Sequence, residues 1–224
     1  MPEILYISKN AVVIYKPAGI PSQSDTSGDK DAMTLTAELL REKSEDGTLY
    51  LIHRLDRVVG GILIFARNKK SAARLSELVS GVGIGKEYFA VADGDLECGE
   101  MNDLIYKDAR QSKAFIVDRE RGGVKRAVLE CTPVARVQTE RGTKTLAKIK
   151  LHTGRFHQIR AQLSHRGSPI TGDKKYGSRD PLVHMPALFS YHVSLELFDE
   201  KIDVCVMPPL DQYPWNLFSA ENYT

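Results

Sequence analysis

The chain has 224 residues, of which 42% are hydrophobic and 27% charged, with a formal net charge of +2. That composition suits a globular body with a sizeable core, in one domain or two small ones. No apolar run approaches the ~18 residues of a membrane helix, and Met1-Pro2-Glu3-Ile4 lacks the basic-then-apolar pattern of a secretion signal.

Residues 4–16 alternate loosely around a polar Ser8-Lys9-Asn10 break, which predicts strand, turn and strand. Lys16-Pro17-Ala18-Gly19-Ile20-Pro21 ends that ladder. Residues 22–31 are polar or glycine throughout, a flexible loop that could close over a ligand. Thr34 is a candidate cap for a helix running to about Lys43.

Tyr50-Leu51-Ile52 and Ile62-Leu63-Ile64-Phe65-Ala66 predict two strands joined tightly through Gly60-Gly61. His53-Arg54-Leu55-Asp56 lies at the mouth of that connection. Asp56 is flanked by Arg54 and Arg57, and nearby positive charge favours an ionised carboxylate. A surface ion pair at a strand end would read the same way.

A helix is expected from Asn68 to Ser80, stopped at Gly81. Gly81-Val82-Gly83-Ile84-Gly85 follows a helix and precedes a strand, the reverse of a phosphate loop, and reads as a flexible connection. Lys86 to Ala92 is a strand carrying Tyr88. Residues 99–123 read as a long excursion or a poorly ordered hairpin. Residues 127–131 and 145–151 predict strands turned at Arg141-Gly142. In 152–160, Thr153 is a candidate helix cap and Phe156, Ile159 and Leu163 form an apolar stripe. Arg160 lies at the edge of that stripe, so it needs an anion, for which Asp56 is the candidate, unless it reaches solvent. A turn-rich loop follows over 168–177. Two closing strands are expected over 187–198 and 201–207, with regular structure ending at Pro208-Pro209. Hairpin-like pairing predicts one α+β body with a largely antiparallel mixed sheet flanked by helices.

Charge is unevenly spread. Residues 141–179 hold ten Lys and Arg against Asp173, while 180–224 hold one Lys against seven acids. The basic stretch could be a nucleic-acid footprint or a solvated surface. The three cysteines, Cys98, Cys131 and Cys205, are widely spaced and odd in number, so a disulfide frame is unexpected and a reducing, cytoplasmic setting is expected. The histidines show no metal-ligand spacing, and there is neither a nucleophile elbow nor a Walker loop.

Two stretches carry a resemblance. His53-Arg54-Leu55-Asp56 resembles the HRLD signature of RluA-type RNA pseudouridine synthases, and Gly154-Arg155-Phe156-His157-Gln158-Ile159-Arg160 resembles their GRTHQIR signature. Lys16-Pro17-Ala18-Gly19, Lys86-Glu87-Tyr88, and Gly172-Asp173 with Tyr176-Gly177 resemble three further motifs, in the family's order. The resemblance spans about residues 4 to 207. It implies a pseudouridine-synthase catalytic domain acting on ribosomal or transfer RNA; a single domain without the small RNA-binding domain that some relatives carry before it, and a monomer, are expected. Uridine would be detached, rotated and rejoined through C5 without cofactor or metal. Asp56, Tyr88 and Arg160 would be catalytic. Arg54, Arg57, Arg155, His157, Gln158, Lys174, Lys175 and Tyr176 would contact substrate. The chain departs from the pattern at Val59-Gly60-Gly61, where Thr-Ser-Gly is usual, at Phe156 for Thr, and at Gln162 for His. An inactive RNA-binding protein on this fold, or a hydrolase using Asp56 with His53, would be the alternatives.

Overall fold

A computed structural model describes residues 1–81 and 83–223. It holds β1 (Glu3–Ile7), β2 (Ala11–Lys16), α1 (Ala32–Glu42), β3 (Tyr50–Leu51), β4 (Gly60–Ala66), α2 (Lys69–Ser80), β5 (Ile84–Asp93), β6 (Gly99–Asp108), β7 (Lys113–Val117), β8 (Val124–Thr139), β9 (Gly142–Leu151), α3 (Gln158–His165), β10 (Leu188–Leu197) and β11 (Glu200–Cys205). This is an α+β chain whose strand pairs are largely antiparallel, as expected. Two compact units divide it: residues 1–86 with 190–206, and residues 87–189 with 207–224.

In the first unit the strand order is β1-β2-β4-β10, with β3 on β4 and β11 on β10. The β1–β2 turn closes through Ser8 N donating to Ala11 O at 2.9 Å. Every residue of β4 is buried, which is why its sequence is a continuous apolar run instead of an alternation. Ala11 and Val13, Ile62, Ile64 and Ala66, and Val193, Leu195 and Leu197 share one core with Leu75 and Leu78 of α2. Burial of each such leucine contributes roughly 1.5–3 kcal/mol. The α2 ends follow local chemistry: the Asn68 side chain accepts from Ser71 N at 2.9 Å, and Gly81 forms the C-cap.

The second unit is an antiparallel meander in the order β5-β9-β8-β6-β7. Ile105, Ala114, Ala127, Ala161 and Tyr176 form a core cluster between this sheet and α3.

Several expectations change. The connection between the strands at 50–52 and 60–66 is an open loop, and the glycine pair lies inside β4. Asp31, not Thr34, caps α1: its side chain accepts from Thr34 N at 2.9 Å. His157, in the left-handed region at φ 51°, stands at the N-cap of α3, whereas Thr153 bonds to Val128 N and Gln158. Residues 99–123 contain an ordered β6–β7 hairpin. Beyond Pro209, short 3-10 turns occur at Trp215–Leu217 and Ala220–Tyr223. The glycine connection before β5 includes Val82, which lies outside the described residues; the helix-before-strand order that argued against a phosphate loop is observed.

Candidate active site

Asp56 is built from the backbone outward. It opens a β-turn in which Val59 N donates to Asp56 O at 3.0 Å, a position that suits aspartate. The preceding residue, Leu55, is pinned on both sides by one hydroxyl: Ser22 Oγ donates to Leu55 O at 2.7 Å and accepts from Leu55 N at 3.1 Å. The following residue, Arg57, is pinned through its carbonyl, which accepts from Gly19 N at 2.8 Å and from Lys16 Nζ at 3.4 Å. Lys16 Nζ also donates to Pro17 O at 3.1 Å and Ile20 O at 2.8 Å. The Lys16–Ser22 loop therefore clasps both peptides beside Asp56, whose side chain stays half-buried. Burial pushes Lys16 down to about 7, the Asp56 carboxylate pulls it back up, and Arg57 lowers it further.

Beyond the turn, Gly61 has φ +119°, and a Cβ there would stand 2.2 Å from Ser190 O. Only glycine fits so close a backbone approach. The departure at Val59-Gly60-Gly61 thus preserves the one residue type that the fold requires at 61.

His53 is a supporting group. Its Nε2 accepts from Ile64 N at 3.3 Å, which assigns the ring proton to Nδ1. Burial pushes its pKa down to about 3, and the Lys86 charge adds to the shift. A neutral imidazole whose free lone pair is already used is no general base, so a hydrolase built on Asp56 with His53 loses its base.

The second unit carries the other matched positions. Tyr88 is buried on β5, opposite Ile149 of β9. On α3, Arg160 is 5% exposed and meets Asp173 in a bidentate pair: Nε to Oδ2 at 2.6 Å and Nη2 to Oδ1 at 2.9 Å. Asp173 is thus the carboxylate partner of Arg160 within this unit. The Asp173 loop is set by Gly172, at φ +83°, where a Cβ would stand 2.4 Å from Met185 O. The Tyr176 ring lies 5.1 Å from the Arg160 guanidinium carbon. Its hydroxyl accepts from Ala114 N at 2.8 Å and lies 3.0 Å from His157 Nδ1.

A further charged cluster was not foreseen. Lys144 is 2% exposed, and its Nζ lies 2.6 Å from Asp93 Oδ1 and 2.7 Å from Asp180 Oδ2. Thr171 and Ser178 hydroxyls donate to Asp93, and the Tyr213 hydroxyl donates to Asp180, each at 2.6 Å. Burial works to lower the Lys144 pKa, but its bonds to Asp180 and Asp93 outweigh that and raise it. The cluster holds both ends of the loop that carries Asp173. In the sequence, Lys144 gave no signal beyond being one of many basic residues.

The substrate-contact candidates separate by burial. Arg54, Arg57, Arg155, Lys174 and Lys175 are exposed. Arg155 Nε donates to Arg126 O at 2.9 Å, and Lys175 Nζ donates to Ser112 O at 3.1 Å. Lys174 Nζ lies 3.2 Å from His184 Nδ1. Gln158 is buried and closes its own turn: Oε1 accepts from Thr153 Oγ1 and Arg155 N, and Nε2 donates to Val128 O. Gln158 and Tyr176 thus occupy bracing positions in the α3 framework. The basic stretch is not a continuous surface either, because Lys144 and Arg160 are buried in ion pairs. Among the described residues no group of three or more His, Cys, Asp and Glu is placed to hold a metal. No helix of the described residues is long and apolar enough to cross a membrane.

The family model described as RNA pseudouridylate synthase matches residues 10–165. This chain belongs to that family. The match includes Asp56, its clasp, Tyr88 and Arg160. The chain is 29% identical over 205 residues to the ribosomal large subunit pseudouridine synthase D of Borreliella burgdorferi, covering 87% of this chain and 60% of that relative. With an uncharacterized RNA pseudouridine synthase of Haemophilus influenzae it shares 27% identity, covering 94% of this chain and 89% of the relative. Among solved structures, human RNA pseudouridylate synthase domain containing 1 superposes with a TM-score of 0.75 at 21% identity, over 94% of this chain and 84% of that one. Human RNA pseudouridylate synthase domain containing 4 gives 0.73 at 24% identity, over 92% and 89%. At these identities the structural likeness speaks for the fold.

Proposed function

We propose that this chain is an RNA pseudouridine synthase in which Asp56 is the catalytic carboxylate. The observation that carries the reading is the double clasp on the Asp56 loop: Ser22 holds Leu55, and Lys16 with Gly19 holds the Arg57 carbonyl. Such bracing fixes a half-buried acid to within the small tolerance that chemistry on a nucleotide needs. The reaction detaches uracil from the sugar at N1, rotates it, joins C5 to the sugar carbon and moves the C5 proton to N1. Atoms balance without cofactor or metal. Asp56 serves by attacking the sugar, attacking the base or removing a sugar proton, each of which needs it ionised.

Tyr88 and Arg160 are assigned by the same motif matches, as the ring against the base and the cation of the site. A base must leave its stack to be processed, and the exposed Arg54 supplies a cationic plane for that step. Arg155, Lys174 and Lys175 are assigned to the RNA backbone. The names of the Borreliella relative and others like it favour ribosomal RNA over transfer RNA as the target. We read the chain as one catalytic domain acting as a monomer in the cytoplasm.

Asp56→Asn keeps the shape of the side chain and removes its charge. It should abolish pseudouridine formation in ribosomal RNA from a deletion strain, while unfolding and RNA binding stay near wild type. Turnover near wild type in the Asn variant would remove Asp56 from the mechanism. An unchanged pseudouridine map in the deletion strain would remove the activity itself.

A further inference from the structure

Arg54 and Arg57 flank the same acid but meet different surroundings. Among the described residues Arg54 forms no ion pair, whereas Arg57 is fully engaged by the loop over 23–30. Arg57 Nη1 donates to Ser27 Oγ at 2.9 Å, Nη2 bonds to the Asp29 carboxylate, and Asp25 Oδ2 lies 3.8 Å from Nη1. The loop is prepared for this. Ser27 N and Oγ both donate to Asp25 Oδ1, and Asp29 N donates to Ser27 Oγ at 3.2 Å. Its base is tied down by Ser24 Oγ donating to Asp31 Oδ2 at 3.0 Å and by the Lys30–Glu38 pair at 2.9 Å. Carboxylate and hydroxyl oxygens thus surround the guanidinium where the oxygens of a phosphate would sit.

The contact is built to be exchanged. Side-chain exposure is 41% for Arg57, 41% for Asp25 and 55% for Asp29. Ion pairs so open to solvent contribute little and weaken with salt. The carboxylates are nonetheless firmly ionised. The Ser27 bonds hold Asp25 below its usual range, and the Arg57 bond does the same for Asp29.

We propose that Arg57 is a phosphate site for substrate RNA kept occupied by an internal anion, the Asp25–Ser27–Asp29 loop, which the RNA backbone must displace. This rests on the reading of the chain as an RNA-modifying enzyme and adds a regulation of its substrate entry. The loop sets a threshold: an RNA segment that brings a phosphate to Arg57 releases the loop, and one that does not leaves it closed beside Asp56.

The test is a binding cycle with a fluorescently labelled RNA hairpin whose loop contains uridines. Asp25→Asn with Asp29→Asn should tighten binding by about three-fold at low salt. The plot of log affinity against log salt should steepen by about 0.7, one additional single-strand phosphate contact. In an Arg57→Gln background the same pair of changes should give no gain. That comparison separates displacement at Arg57 from the general effect of removing two negative charges. Unchanged or weaker binding, an equal gain without Arg57, or no binding by any of the proteins overturns the proposal. Pseudouridine formation in bulk ribosomal RNA, measured on the same preparations, independently tests the enzymatic reading.

Discussion

Buried Lys16 of the first unit and buried Lys144 of the second meet opposite surroundings. Among the described residues Lys16 has no carboxylate as a hydrogen-bond partner; three backbone carbonyls receive its ammonium, and its pKa falls to about 7. Lys144 is gripped by Asp93 and Asp180, and its pKa rises. Carbonyl dipoles solvate a cation only partly, so burial wins at Lys16, while two full negative charges reverse the balance at Lys144. The lesson is a division of labour. The loop at Asp56 is held by hydrogen bonds that fix geometry, with Lys16 poised near neutrality. The loop at Arg160 is held by ion pairs.

The largest effect should come from breaking the ion-paired side. Lys144→Met strands Asp180, whose side chain is 1% exposed, beside Asp93. Removing one partner of such a pair typically costs ~3–5 kcal/mol. Urea unfolding should report a loss of that order, and adding Asp180→Asn should return part of it. A loss as small as that of an exposed pair would mean that Lys144 is not the centre of the cluster.

Arg160→Met comes next, because it strands Asp173 on the loop that the Lys144 cluster anchors. In a cycle with Asp173→Asn, the two losses should be strongly non-additive in thermal or urea unfolding, with a coupling of about 1–3 kcal/mol. Additive losses would remove Asp173 as the energetic partner of Arg160, whatever the distances.

The smallest effect sharpens the contrast through pH. Lys16 titrates near 7 when folded, against 10.5 for an ordinary lysine. Between those values the unfolded chain holds the extra proton, so this site makes stability rise with pH. Below about 7 the burden of burying the ammonium is fully present. The wild type should therefore gain on Lys16→Met as pH rises from about 7 towards 10, by up to about 1.4 kcal/mol per unit. Lys144 carries the opposite sign: its contribution is fully present below 10.5 and is lost only as pH rises through its raised folded value. Urea unfolding across this range should show a pH-dependent difference for Lys16→Met and a constant one attributable to Lys144. A Lys16 difference that does not change with pH would show the lysine to be fully solvated.

Much of the local structure follows from residue type and spacing. Asn68 and Gly81 bound α2, the apolar run at 62–66 is a fully buried strand, and Arg141-Gly142 reverses the chain between β8 and β9. His53-Arg54-Leu55-Asp56 and the stretch ending at Arg160 point to the family from sequence alone, because a sequence displays its motifs directly. Partners were a different matter. Helical spacing places Arg160 at the edge of an apolar face, and a loop shaped by Gly172 brings Asp173 to it, a contact that spacing does not reveal. Ser22 and Leu55 are 33 residues apart, and Lys144 and Asp93 are 51 apart. Periodicity reports which face a side chain occupies. Strand register and loop path decide which distant group meets it there, and those are set by packing of the whole unit. The sequence by itself therefore determined the family and the local elements. The tertiary structure alone decided how the Asp56 loop is clasped, which carboxylates neutralise the buried cations, and that Arg57 is already occupied by an acidic loop.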